Sequence, residues 1–168
     1  MKKIKVLMID DNSNLVEMVK EYFKNNSKIE VSLTALDGAE GIKVIEEHIN
    51  EYDVIVLDLI MPKKDGIYVL EQMKEKKIDK NTIVATSYNA ADVIRKVAEF
   101  GVNYFILKPF DLDDLEKRIL DVMKKQENKN IDLNHSNLQV SITKILHELG
   151  IPSHIKGYQY IREGIGII

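Results

Sequence analysis

VIVLDLIMPKKDG, residues 54–66, opens with four apolar residues and turns abruptly polar at Asp58. An apolar run this short and continuous is expected of a central parallel strand covered on both faces. Pro62 restricts the loop that follows, and Gly66 is expected to supply a positive φ at its turn. Two further segments repeat the pattern. VLMIDDN, residues 6–12, runs into Asp10 and Asp11, and YFILKPFD, residues 104–111, runs into Lys108-Pro109. Each charged residue therefore sits just past a strand-like stretch, Ile4–Ile9, Val54–Leu57 or Tyr104–Leu107.

On either side of this stretch, short apolar runs alternate with longer amphipathic ones. An outer strand is predicted at 29–33, where apolar residues alternate, and a further strand at 82–85. Helices are predicted at 14–24, 39–49, 67–76, 90–100 and 112–125, from apolar residues recurring at helical spacing. Gly101 is expected to end the fourth helix and Asp111 to cap the fifth. Five strand–helix repeats argue for a parallel sheet with helices on both faces. The predicted fold is α/β and doubly wound: a flavodoxin-like five-stranded parallel sheet in the order 2-1-3-4-5, with five helices. In that order the chain reverses between the first and third strands, and ligands bind at the carboxyl edge there. Asp10, Asp11 and Asp58 end those two strands.

Composition agrees with a globular chain. Of 168 residues, 45% are apolar and 30% charged, which is enough to bury a core. The net charge of −3 carries no global signal for nucleic acid. The absence of cysteine excludes disulfides, thiolate metal sites and cysteine nucleophiles, and fits a cytoplasmic location. The apolar run after the N-terminal lysines is too short for a signal peptide or a membrane span. The histidines His48, His135, His147 and His154 show no metal spacing with one another.

Three carboxylates and an ammonium at one sheet edge suit a divalent cation and a phosphoryl group. Asp58 is the candidate nucleophile, because a carboxylate can form an acyl phosphate. Its approach to an anionic donor requires a cation between them, and hard cations take oxygen ligands. Asp10, Asp11 and Asp58 would supply those ligands. Mg²⁺ is the expected ion, with Ca²⁺ or Mn²⁺ as alternatives. Pro109 disfavours helix at Lys108, leaving that ammonium to pair with Asp58 and then with its phosphoryl oxygens. Thr86 ends the fourth strand with a hydroxyl donor, and Phe105 lies three residues before Lys108.

Together VLMIDDN, VLDLIMPKKDG, the Thr86 strand end and YFILKPFD resemble the receiver domain of bacterial response regulators. The resemblance covers about residues 3–125. It implies Asp58 as the phosphorylated aspartate, Asp10 and Asp11 as cation ligands, Lys108 as the family's lysine, Thr86 as the switch hydroxyl and Phe105 as the switch aromatic. Ser87 departs from the alanine or glycine common in the family. The chain is thus expected to be a phosphoacceptor rather than an enzyme turning over a small substrate. A phosphatase would need an acid two residues past its nucleophile, where this chain has Ile60. A flavin or nucleotide binder would need a phosphate-cradling loop where this chain has Asp10-Asp11-Asn12.

Residues 126–137, QENKNIDLNHSN, read as a polar linker. Leu138, Ile142, Ile145, Leu146 and Leu149 then make one apolar helical face. The tail SITKILHELGIPSHIKGYQYIRE is similar to the opening of the DNA-binding domain of sporulation response regulators from spore-forming Firmicutes. The expected organisation is a receiver over 1–125, a linker over 126–137 and an incomplete helical effector segment over 138–168. The resemblance implies a histidine phosphotransferase or sensor histidine kinase as donor, phosphorylation-dependent homodimers and no membrane. It implies promoter DNA as a partner only where the effector domain is complete.

Overall fold

The computed structural model describes residues 2–128, apart from 62 and 88. The predicted tail and all but the first three residues of the predicted linker lie outside the described residues. The strands are β1 (Ile4–Ile9), β2 (Ile29–Ala35), β3 (Val54–Leu57), β4 (Asn81–Thr86) and β5 (Tyr104–Leu107). They form one five-stranded sheet in the predicted order, β2-β1-β3-β4-β5, and every pairing is parallel. The helices are α1 (Ser13–Phe23), α2 (Gly38–Glu47), α3 (Gly66–Glu75), α4 (Ala91–Ala98) and α5 (Leu112–Asn128).

Strand alternation divides the core in two. Leu7, Ile9, Ile55, Leu57, Val84 and Phe105 pack with residues of α2, α3 and α4. Val6, Met8, Val54, Val56, Ile83, Ala85 and Ile106 pack with α1 and α5. β3 is buried at all four positions, which is why its sequence shows no polar alternation. Removing one such Ile or Leu from water contributes about 2 kcal/mol, so the central strands fix their own register and with it the residues at their ends.

The structure departs from the predicted elements in ways that have local causes. β2 extends to Ala35 and carries a register shift, Val6 pairing with Val31 and Leu7 with Leu33. Ser32 is the extra residue, and its hydroxyl donates to the Glu51 carbonyl at 2.9 Å. Asn12 caps α1, its side-chain oxygen accepting from Leu15 N–H at 3.1 Å. α5 continues to Asn128, three residues beyond the predicted limit at 125. The turn after Asp58 is built differently from expectation. The positive φ belongs to Lys63 (48°) and Lys64 (77°), not to Gly66. Gly66 answers a different need: a Cβ there would lie 2.3 Å from the Asp58 carbonyl oxygen. Gly101 does take a positive φ, 78°, just beyond α4. Among the described residues, no helix is long and apolar enough to cross a membrane.

Candidate functional site

The site begins with the sheet ladder. Ile9 pairs with Leu57, and the ladder runs one step further: Asp58 N–H donates to the Ile9 carbonyl at 3.0 Å, and Asp10 N–H to the Ala35 carbonyl at 3.0 Å. Those bonds set Asp10 and Asp58 side by side on the two central strands. On the far side, Lys108 N–H donates to the Thr86 carbonyl at 3.0 Å, extending the pairing of β4 with β5. The Lys108-Pro109 peptide is cis.

The side chains converge as the sequence predicts for four of the residues. Lys108 Nζ lies 2.7 Å from Asp10 Oδ2 and 3.2 Å from Asp58 Oδ2. The other oxygen of each carboxylate turns to the amide two residues on. Asn12 N–H donates to Asp10 Oδ1 at 2.9 Å, and Ile60 N–H to Asp58 Oδ1 at 3.4 Å. Both acids thus share one ammonium and each holds a local amide, the second more loosely. Asp10 and Asp58 are 1% and 6% exposed, whereas Asp11 is open to solvent. Carboxylate oxygens of all three lie within 4.8 Å of one another.

Electrostatics explains why such a cluster calls for a cation. Three carboxylates against one ammonium leave an excess of negative charge in a largely desolvated place. Burial raises the Asp10 pKa above its ordinary value, although the Lys108 bond, the Asn12 amide and the Lys108 charge all work the other way. For Lys108, burial disfavours the ammonium, but the hydrogen bond and charge of Asp10 and of Asp58 together outweigh it and raise the pKa. Lys108 is therefore charged at neutral pH. Carboxylate oxygens of three aspartates are hard donors and fit a hard divalent cation; they offer nothing to a soft one.

Thr86 and Phe105 occupy the neighbouring strands. Thr86 is fully buried at the end of β4 and pairs in register with Leu107. Phe105, 4% exposed, pairs in register with Val84 and belongs to the core under α2, α3 and α4. Ser87 is exposed beyond the strand. Reading the sequence missed the two backbone amides, Asn12 and Ile60, because a main-chain donor leaves no mark on residue type. It also missed that Gly66 serves the site by closeness; a glycine eight residues past the central aspartate was the available signal.

Comparison with known proteins agrees with this geometry. Residues 6–120 match the response regulator receiver domain family. Residues 142–168 match the C-terminal part of the sporulation initiation factor Spo0A. The receiver domain of the Francisella response regulator 1452 is 30% identical, with a TM-score of 0.66 over 74% of this chain and 99% of its own. A Borrelia burgdorferi CheX–CheY–BeF3–Mg²⁺ complex contains a chain 27% identical, with a TM-score of 0.66 over 71% of this chain and 89% of that one. A receiver domain from Clostridium thermocellum is 27% identical, with a TM-score of 0.66 over 74% and 97%. Receiver domains bind Mg²⁺ at an acidic pocket and interact with histidine kinases or phosphotransferases, and an aspartate cluster stands at the corresponding edge here. From its sheet order, its aspartate–lysine cluster and the match over residues 6–120, this chain belongs to the response regulator receiver domain family.

Proposed function

We propose that the chain is the receiver part of a phosphorelay response regulator, with Asp58 as phosphoacceptor. The observation that carries this reading is the single ammonium of Lys108 shared between Asp10 and Asp58, with Asp11 beside them. An Asp58 carboxylate oxygen attacks the phosphorus of a phosphohistidine protonated at its other ring nitrogen, the P–N bond breaks, and the bond pair stays with the ring, which leaves as neutral imidazole. Lys108 keeps its proton throughout and exchanges part of its carboxylate contact for the new phosphoryl oxygens. Asp10, Asp11 and Asp58 would hold the divalent cation, Mg²⁺ by preference, which supplies charge neutralisation between nucleophile and donor. Thr86 would then donate its hydroxyl to the phosphoryl group, and Phe105 would follow the change in β4 and β5.

The Borrelia burgdorferi neighbour was captured with BeF3 and Mg²⁺, which supports the same pairing of cation and phosphoryl analogue for this chain. The match at residues 142–168 supports an output in sporulation control: phosphorylation promotes dimers, and a complete effector domain then engages promoter DNA in the cytoplasm. The chain acts by changing partners, with no turnover of a small substrate. Incubation with acetyl phosphate and Mg²⁺ should add one phosphoryl group by intact mass. Asp58→Asn, which preserves volume, should abolish the adduct while leaving the circular dichroism spectrum unchanged. An adduct that persists in Asp58→Asn moves the acceptor elsewhere.

A further inference from the structure

We propose that Gly38, at the start of α2, is a positioning residue that holds the loop after Asp58 in its working course. This rests on the reading of Asp58 as phosphoacceptor. Lys63 and Lys64 are exposed and take left-handed φ values of 48° and 77°. Side chains disfavour that region, so these residues do not hold it unaided. The loop is tied at its far end, where Gly66 N–H donates to the Leu59 carbonyl at 2.9 Å. Its crest is tied to α2: Ala39 N–H donates to the Lys63 carbonyl at 2.9 Å. The Lys64 carbonyl lies so close to Gly38 that an added Cβ would be 1.9 Å from its oxygen.

The same helical turn meets the other arm of the site. A Cβ on Gly41 would lie 3.0 Å from the Ile9 side chain, one residue before Asp10. The first turn of α2 therefore abuts both chain segments that carry the buried acids. Its side-chain-free surface is the template on which the backbone of Lys63 and Lys64 lies. Asp58 itself has only a long bond, 3.4 Å, from Ile60 N–H to fix its outer oxygen, so its aim depends on where that loop runs.

Gly38→Ala forces the crest away by about 1 Å or more, and misplacement on that scale costs on the order of tenfold to a hundredfold in rate. The test is the rate of phosphorylation by acetyl phosphate at saturating Mg²⁺, for wild type, Gly38→Ala and Gly101→Ala. Gly101 has a positive φ, which strains an alanine there, but nothing lies near its missing Cβ, so it reports destabilisation alone. The expected result is a loss of about tenfold in Gly38→Ala, with Gly101→Ala at the wild-type rate. A folded Gly38→Ala that is phosphorylated at the wild-type rate overturns the proposal, as does an equal loss in both variants. Should Gly38→Ala not fold, the wild-type Ala39 amide resonance decides: it is expected to shift with those of Lys63 and Lys64 on adding Mg²⁺ and beryllofluoride. An unmoved Ala39 overturns the proposal. A wild-type chain that takes no phosphoryl group at Asp58 fails the underlying reading, and is distinguished by needing no variant to be seen.

Discussion

Replacing Lys108 with methionine removes the one ammonium that two buried carboxylates share. At 2.7 and 3.2 Å, unit charges in an effective dielectric of about 20 attract by about 6 and about 5 kcal/mol before desolvation. Desolvation offsets most of that, so the useful figure is the cost of orphaning a buried charge, about 3–5 kcal/mol. The Lys108 side chain keeps 18% exposure, which places the loss near the low end, about 3 kcal/mol. With a urea slope of about 2 kcal/mol/M, the unfolding midpoint of Lys108→Met should fall by about 1.5 M in EDTA at pH 7. Saturating Mg²⁺ should restore much of it, since a ligand at about 100 times its Kd stabilises by about 2.7 kcal/mol. The pH dependence follows from the sign of the shift. Lys108 has a folded pKa above its ordinary 10.5, so its contribution is fully present below that value and is lost as pH rises through the folded one. The gap between wild type and variant should hold from pH 7 to 10 and close above. An unchanged midpoint in EDTA, or a loss that Mg²⁺ leaves untouched, would mean that the buried carboxylates do not depend on Lys108 for their compensation.

Other expectations are simpler. Asp10 has a folded pKa above its ordinary 3.8, so its ionised form costs stability once pH rises through the window above 3.8. Asp10→Asn should accordingly raise the metal-free melting temperature at pH 7 by a few degrees, leave it nearly unchanged below the window, and weaken Mg²⁺ binding; calorimetry with and without the ion checks all three. Gly66→Ala places a Cβ 2.3 Å from the Asp58 carbonyl oxygen and 2.8 Å from Leu59 Cα, both backbone atoms with little room to yield. Overpacking of that kind costs about 1–3 kcal/mol, and urea denaturation should show it together with slower phosphorylation.

Sheet order and the convergence of Asp10, Asp58 and Lys108 were legible because they follow from pattern. Val54–Leu57 has no polar residue to mark a wet face, and a parallel ladder leaves Asp58 nowhere to go but the edge beside Asp10. Helix ends were less legible. α1 starts at Ser13, one residue earlier than the apolar spacing marks, because Asn12 caps it. The Ser32 bulge in β2 answers to the Glu51 carbonyl, 19 residues away in the chain, and no local window contains that partner. Lys63 and Lys64 have residue types that argue against a left-handed backbone. Their course is fixed by α2, a tertiary contact that overrides local preference.

The alternation that splits the core bears on how the signal proposed for Asp58 would spread. By sequence parity, Asp10, Asp58 and Lys108 continue the series that ends in Met8, Val56 and Ile106, which faces α1 and α5. Thr86 and Phe105 belong to the opposite series, the one that supplies Val84 to the core under α2, α3 and α4. Charge is therefore handled on one side of the sheet and bulk on the other. At the strand ends the two series meet, and there the Thr86 hydroxyl contact proposed above is joined by a main-chain one. It is the bond from Lys108 N–H to the Thr86 carbonyl, through which, on the proposed function, a pull on the lysine would displace β5 against β4.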